Sequence, residues 1–240
     1  MYKIAIIIVI ILFLIYYNYI FNYYKYGYYN TSRVNLDANY NVHNEHEDKK
    51  SAAKMLMEIN KRTQKLIKHL EKKYESNNFR VSMDPNKNNH IDIVETSDIY
   101  ANMAINSVKQ TEYIQERIKQ LINKYDPDRI YEISPLNPSG LTSYTQDKKT
   151  LIFCLRKKQK NKNGENELHD LNTIMFVVLH ELTHMMNNTW GHKPDFWVLF
   201  KFMLVNAVEA KIYTPVDYSK YPIIYCGLAL TYNPYYDPKL

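Results

Sequence analysis

The chain has 240 residues and a formal net charge of +6, with 45% hydrophobic residues. This length suggests one catalytic-sized domain with additional segments. The two cysteines, Cys154 and Cys226, are too few for a disulfide framework, and they do not form the Cys-x-x-Cys pair of a cysteine-built zinc site. They are either buried thiols or, in an oxidising compartment, a single bridge. The charge excess is scattered, so it leaves nucleic-acid binding open without requiring it.

The chain begins with a long apolar segment, and residues 4–23 contain no charged side chain. At ~1.5 Å per residue, about 20 residues cross a hydrocarbon core of ~30 Å. A cleaved signal peptide would need small residues after the apolar run, but tyrosine, asparagine and phenylalanine follow it. We therefore predict a retained transmembrane anchor over residues 1–24, in a single-pass membrane protein. Lys3 lies on one side of the apolar segment and Lys25 on the other. The distribution of positive charge therefore does not determine the topology of the anchor.

A polar segment without hydrophobic periodicity follows at residues 25–50, and this composition favours a linker. His43 and His46 lie in this segment, where we expect them to be solvated rather than bound to a metal.

Residues 51–124 are predicted to be mainly helical. Apolar residues recur every three or four positions over 51–74, which is typical of an amphipathic helix that packs on a domain or forms a coiled coil. Residues 77–98 are loop-rich. A second helical pattern covers 98–124, where Tyr125-Asp126-Pro127 ends it.

The remaining residues, 125–240, carry the pattern of an α+β domain. Short strands are expected at 129–133, 143–146 and 150–156, followed by a charged surface loop. Asp170 is a suitable N-cap for a helix from Leu171 to Asn187. A strand before a buried helix, with a helical pair further upstream, is the element order expected of a small zincin-like α+β domain.

The predicted helix contains the motif His-Glu-x-x-His at residues 180–184. Four residues on a helix place His180 and His184 on one face, where both can reach a Zn²⁺ ion at ~2.0–2.1 Å. Glu181 lies beside them without being a ligand. It is predicted to act as the general base for a zinc-activated water that attacks a peptide carbonyl.

A catalytic zinc site needs a third protein ligand. We favour His192, because Asn187 and Gly191 can end the helix and turn the chain back. Asp195 and Glu209 are the alternatives, and Asp195 could instead orient His192 or cap the next helix.

The segments around this motif resemble the WLM family of zinc metallopeptidases, which are relatives of the SprT/Spartan proteases. The resemblance covers roughly 125–235. It rests on His180, Glu181, His184 and His192, with Phe196 and Trp197 in an aromatic-rich helix that follows a "GxHxxxF"-like segment. The spacing from the second to the third histidine is longer than the six residues of many such sites. Membrane-anchored WLM-like proteins of large DNA viruses are a closer comparison. The resemblance implies a zincin fold, a Zn²⁺ cofactor and a protein substrate.

The C-terminal segment is rich in proline and tyrosine, and it is expected to cover the domain or line the cleft. Tyr213, Tyr218 and Tyr225 are candidate donors to an oxyanion, although we favour a structural role for each of them. Cys226 would affect the zinc site if it lay close to it.

The leading hypothesis is therefore a membrane-anchored zinc metalloprotease. Two alternatives remain. One is a catalytically weak adaptor that keeps the fold and recruits partners to a membrane. The other is a DNA-associated protease that acts on DNA–protein crosslinks.

Overall fold

The elements follow the order of a mixed α+β protein with an apolar N-terminal helix. The structure is a computed structural model that describes residues 2–74 and 107–240. Its longer helices are α1 (Tyr2–Tyr26), α2 (Lys49–Tyr74), α3 (Ser107–Lys124), α4 (Leu171–Met186) and α5 (Pro194–Glu209). Its strands are β1 (Thr31–Asn35), β2 (Asn39–His43), β3 (Ile130–Glu132), β4 (Tyr144–Gln146), β5 (Thr150–Phe153), β6 (Arg156–Lys160), β7 (Asn166–Leu168), β8 (Ile223–Tyr225) and β9 (Leu228–Leu230). The predicted loop at 77–98 and the start of the second helix, up to 106, lie outside the described residues.

Helix α1 is long and apolar enough to cross a membrane, and its side chains from Ile4 to Tyr19 are exposed. A signal sequence would meet the same criterion. Exposed isoleucine, leucine and phenylalanine along several turns are costly in water, so this helix needs an apolar environment.

Five strands form one mixed sheet in the order β1-β2-β3-β5-β4. The pairs β1–β2 and β4–β5 are antiparallel, whereas β2–β3 and β3–β5 are parallel. Strand β4 is therefore an edge of the sheet. Two separate hairpins, β6–β7 and β8–β9, complete the strand pairing of the described chain.

The structure differs from the linker expected at residues 25–50. Strands β1 and β2 form a hairpin there, and β2 joins the central sheet through β3. Tyr40, Val42 and His43 are all buried. Sequence reasoning missed this hairpin because the polar residues that alternate with the apolar ones, such as Asn39 and Asn41, made it look like a solvated segment.

Helix α2 packs on the domain and does not project from it as a stalk. Its apolar stripe is buried, at Ala52, Leu56, Ile59, Leu66 and Leu70. These positions continue the main hydrophobic core, which also contains the inner faces of β3, β5, α4 and α5. Burial of such aliphatic side chains stabilises the fold by about 1.5–3 kcal/mol each.

The C-terminal segment is fixed to the sheet by a disulfide bond between Cys154 and Cys226. Cys154 follows β5, and Cys226 lies in the turn between β8 and β9. Of the two sequence-based alternatives, buried thiols or a bridge, the structure contains the bridge. The charged loop expected after β5 is partly ordered as the β6–β7 hairpin.

Candidate metal centre

Helix α4 supplies the first part of the site. The side chain of Asp170 accepts a hydrogen bond of 2.8 Å from the backbone N–H of Thr173, as expected of an N-cap. The apolar residues that follow are buried, so the helix is fixed within the core. Its last two turns carry His180, Glu181 and His184.

The chain then reverses direction to bring back His192. The backbone N–H of Asn187 bonds to the carbonyl of Thr183 and ends the helix. Gly191 has a φ of +75°, in the left-handed region where a glycine carries little penalty. The buried Lys148 donates from its ammonium group to the carbonyls of Asn187, Asn188 and Thr189, at 2.6, 3.0 and 3.0 Å.

Three imidazole nitrogens meet at one point. The Nε2 atoms of His180 and His184 are 3.2 Å apart, those of His184 and His192 are 3.1 Å apart, and those of His192 and His180 are 2.9 Å apart. Ligands of a tetrahedral zinc ion at ~2.0–2.1 Å are separated by about 3.3–3.4 Å. The observed separations therefore fit a zinc ion with only small side-chain shifts, and three protein ligands leave one position open.

The other two candidates for the third ligand lie elsewhere. Asp195 is buried in the first turn of α5 and accepts a hydrogen bond of 2.8 Å from the hydroxyl of Thr189. It supports the turn, and it neither orients His192 nor caps α5 through its side chain. Glu209 pairs with Lys73 and His69 at the far end of α5.

Phe196 forms the apolar base of the cluster. It is fully buried, and its ring centroid lies 4.4, 4.7 and 4.8 Å from those of His184, His192 and His180. Trp197 and Phe200 extend this wall, at 5.6 Å from His192 and 5.2 Å from His180. Aromatic rings on one side restrict the imidazoles to a narrow range of orientations and exclude water there.

The electrostatic environment keeps the imidazoles neutral. Burial lowers the pKa of His180 to about 3 and that of His184 to about 4, and the neighbouring histidines add to both shifts. Burial also lowers the pKa of His192. A neutral imidazole has a free lone pair, which is the form that binds a metal.

Glu181 lies beside this cluster, and Thr145 is its one hydrogen-bond donor from another side chain in the described part of the chain. The hydroxyl of Thr145, on edge strand β4, is 2.9 Å from Oε2 of Glu181 and 3.1 Å from its backbone carbonyl. Burial raises the pKa of Glu181 to about 7, whereas the Thr145 hydrogen bond lowers it. A carboxyl group with such a pKa can accept and release a proton near neutral pH.

Tyr225 is a candidate oxyanion donor that interacts electrostatically with Glu181. Burial raises the pKa of Tyr225, and the charge of Glu181 raises it further. Its hydroxyl is bonded to the Ser143 hydroxyl and to the carbonyl of Cys154, both at 2.7 Å. Tyr213 accepts a hydrogen bond from Asn233. The Cys226 sulfur is bonded to Cys154 and does not join the histidine cluster.

Sequence reasoning missed Thr145 and Lys148. Both lie about forty residues from the groups that they contact, on β4 and in the turn after it, and no local spacing indicates such contacts.

A helix with a His-Glu-x-x-His motif and a returning third histidine defines the class: an α+β protein with a three-histidine candidate metal centre. No family model and no solved structure matches the chain. Uncharacterized protein R325 of Acanthamoeba polyphaga mimivirus is 31% identical over 180 residues, which cover 72% of this chain and 86% of that protein. The chain therefore belongs to the same family as the mimivirus protein.

Two iridescent-virus proteins match shorter regions. Uncharacterized protein 136R of Invertebrate iridescent virus 6 is 34% identical over 74 residues, which cover 31% of this chain and 40% of that protein. Uncharacterized protein 042R of Invertebrate iridescent virus 3 is 34% identical over 88 residues, which cover 36% of this chain and 50% of that protein.

Proposed function

We propose that the protein is a zincin-like, WLM-type zinc metallopeptidase that hydrolyses peptide bonds in a protein substrate. The observation that carries this proposal is the convergence of three imidazole Nε2 atoms beside a buried carboxyl group. His180, His184 and His192 would hold the ion, and Glu181 is the general base.

A zinc ion held there would polarise the substrate carbonyl and make an attacking water more acidic. Glu181 accepts the proton of that water at a carboxylate oxygen and passes it to the leaving amine. Thr145 orients the carboxylate through its hydrogen bond to Oε2. Phe196 packs against all three imidazoles and restricts their orientation.

We further propose that residues 4–23 of α1 anchor the enzyme in a membrane as a single-pass protein. The charge-free apolar stretch and the bulky tyrosine, asparagine and phenylalanine residues that follow its apolar core support a retained anchor over a cleaved signal. Because disulfides persist in oxidising compartments, the Cys154–Cys226 bridge favours a domain on the lumenal or external side.

The decisive test is proteolysis by the zinc-loaded full chain in detergent micelles, with casein as the substrate. Glu181→Gln removes the base and keeps a side chain of similar size, so we expect cleavage to fall by at least about 100-fold while the zinc content stays unchanged. Equal cleavage by Glu181→Gln and wild type would refute the proposed mechanism.

The same assay separates the two other functions. A chain that binds zinc and cleaves neither casein nor crosslinked protein would be the adaptor. If duplex DNA accelerates cleavage of a DNA–protein crosslink and leaves casein cleavage unchanged, the enzyme is the DNA-associated protease.

A further inference from the structure

A second group of side chains that could hold a metal lies about 140 residues before the first, at the end of β2 and in the turn that follows it. One ligand atom from each of His43, Glu45 and His46 lies within 4.8 Å of the other two. The carboxylate oxygen Oε2 of Glu45 is 3.9 Å from Nδ1 of His43 and 3.9 Å from Nε2 of His46. These distances are too long for hydrogen bonds.

The two imidazoles are withdrawn from solvent. The side chain of His43 is fully buried, and that of His46 is 10% exposed. Nε2 of His46 is buried and has no hydrogen-bond partner. A buried polar atom left without a partner costs about 1–3 kcal/mol, so an ion at this position would remove a real penalty.

Nδ1 of His43 faces Glu45 and is unprotonated. The backbone N–H of Glu45 donates to it at 3.3 Å, a long hydrogen bond that an ion at Nδ1 would replace. Nε2 of His43 is buried and, like Nε2 of His46, has no hydrogen-bond partner among the described residues.

The surrounding charges also favour a cation. Arg156 is bonded to Asp48 and to the buried Glu132, which accepts from the backbone N–H of His43. Glu45 adds a third carboxylate to this single guanidinium, and the Lys49 ammonium donates to Asn44 in the same turn at 2.8 Å. The cluster therefore has an excess of one negative charge when its carboxylates are ionised and its imidazoles are neutral, and a cation would reduce it.

The site is held in place and is also accessible. The Ser134 hydroxyl donates to Oε2 of Glu45 at 2.5 Å, and β2 fixes His43 within the sheet. The Glu45 side chain is 25% exposed, which leaves an entry path. Each 3.9 Å separation exceeds by about 0.5 Å the ~3.4 Å between tetrahedral zinc ligands. Binding of an ion would therefore draw the carboxylate and both imidazoles together.

We propose that His43, Glu45 and His46 form a second, structural binding site for a divalent cation of the zinc type, at the junction between α1 and the sheet. Its two imidazoles and one carboxylate are ligands that zinc accepts. The ion would fix the turn between β2 and α2 next to the end of the membrane-directed helix. This proposal does not depend on protease activity.

The test is the zinc content of the full chain in detergent micelles, after saturation with zinc and dialysis, by elemental mass spectrometry. We compare the wild type with Glu45→Gln/His46→Asn, with His180→Ala/His184→Ala, and with all four substitutions together. We expect about two zinc ions per chain for the wild type, about one for each double variant and none for the combined variant.

The control is His69→Asn, because His69 is a partly exposed histidine on α2 that lies outside both clusters. It should keep both ions. The fully buried His43 is left unchanged, so that misfolding does not imitate the loss of a ligand, and circular dichroism of the zinc-free chains checks the fold.

If His180→Ala/His184→Ala retains no zinc, or Glu45→Gln/His46→Asn retains as much as the wild type, the second site does not exist. If the His180→Ala/His184→Ala variant loses zinc and the Glu45→Gln/His46→Asn variant does not, only the second site is refuted and the protease proposal stands.

Discussion

Lys148 holds the turn that leads to His192 through three hydrogen bonds to its backbone carbonyls. Its ammonium group lies 4.8 Å from the centre of the Trp190 ring and donates to the last carbonyls of the α4 end and to the turn beyond it. A cation at the C-terminal end of a helix also interacts favourably with the helix dipole. Hydrogen bonds from Lys148 thus stabilise the turn from Asn187 to Gly191, and His192 is the next residue.

We expect Lys148→Met to weaken zinc binding at the three-histidine site by about 10–100-fold, because groups that position metal ligands have effects of this size. Zinc affinity is measured by competition with a chromophoric chelator in the Glu45→Gln/His46→Asn background, which isolates this site.

The control is Lys149→Met, since Lys149 is the adjacent, exposed lysine and makes no ion pair among the described residues. Equal zinc affinities for the two variants would show that Lys148 does not position His192.

The histidines of the candidate site were predictable, and the residues that support them were not. His180 and His184 share a face because of the helical period, which is a local property of the sequence. The glycine at position 191 predicted a turn that brings His192 back to the helix. The contacts of Thr145 and Lys148 arise only when β4 is folded against α4, and they have no signature in the sequence.

At the scale of elements, the disulfide ties the β8–β9 hairpin to the end of β5. The two cysteines are separated by 72 residues, so the bridge constrains a long loop in the unfolded chain. Its sulfur atoms lie near Tyr225, whose hydroxyl bonds to Ser143 just before β4. The bridge therefore supports the edge strand that carries Thr145.

Replacing both cysteines by alanine should lower the free energy of unfolding by about 2–5 kcal/mol. For a chain of this size, the expected fall in Tm is roughly 4–20 °C, measured by scanning calorimetry. The control is reductant. It should lower the Tm of the wild type and leave that of the double variant unchanged. A wild-type Tm that does not respond to reductant would show that the bridge is absent.

Some helices and strands were predicted from the sequence, and others were not. Helices α2, α4 and α5 have apolar residues at helical spacing, and their burial follows that pattern. The hairpin of β1 and β2 was missed, because His43 and Asn41 are buried through specific polar partners and not through hydrophobicity. Asn41 donates to the carbonyls of Asp128 and Ile130, and such partners are unknown before the sheet is formed.

At the scale of the whole molecule, the sequence predicted the α+β class and the apolar N-terminal helix, and the structure has both. The mixed order of strands in the sheet could not be predicted, since it depends on pairing between segments that are far apart in the chain. The zincin-like identity of the fold stays a prediction.

The anchor proposal predicts that the full chain stays in the membrane fraction after alkaline carbonate extraction. Ile8→Lys/Leu12→Lys puts two charges near the middle of α1, at about 2.5–3.5 kcal/mol each for insertion, and should release the chain. N-terminal sequencing provides the control. A mature chain that begins after residue 26 would show that α1 is a cleaved signal sequence.

The central claim is that His180, His184 and His192 hold one zinc ion. It is tested most directly by an anomalous difference map of crystals of the full chain, collected above and below the zinc absorption edge. We predict a peak at about 2.0–2.1 Å from all three Nε2 atoms, with Glu181 beside it and not bound to it. Zinc-saturated crystals with no peak among these three nitrogens would contradict the claim.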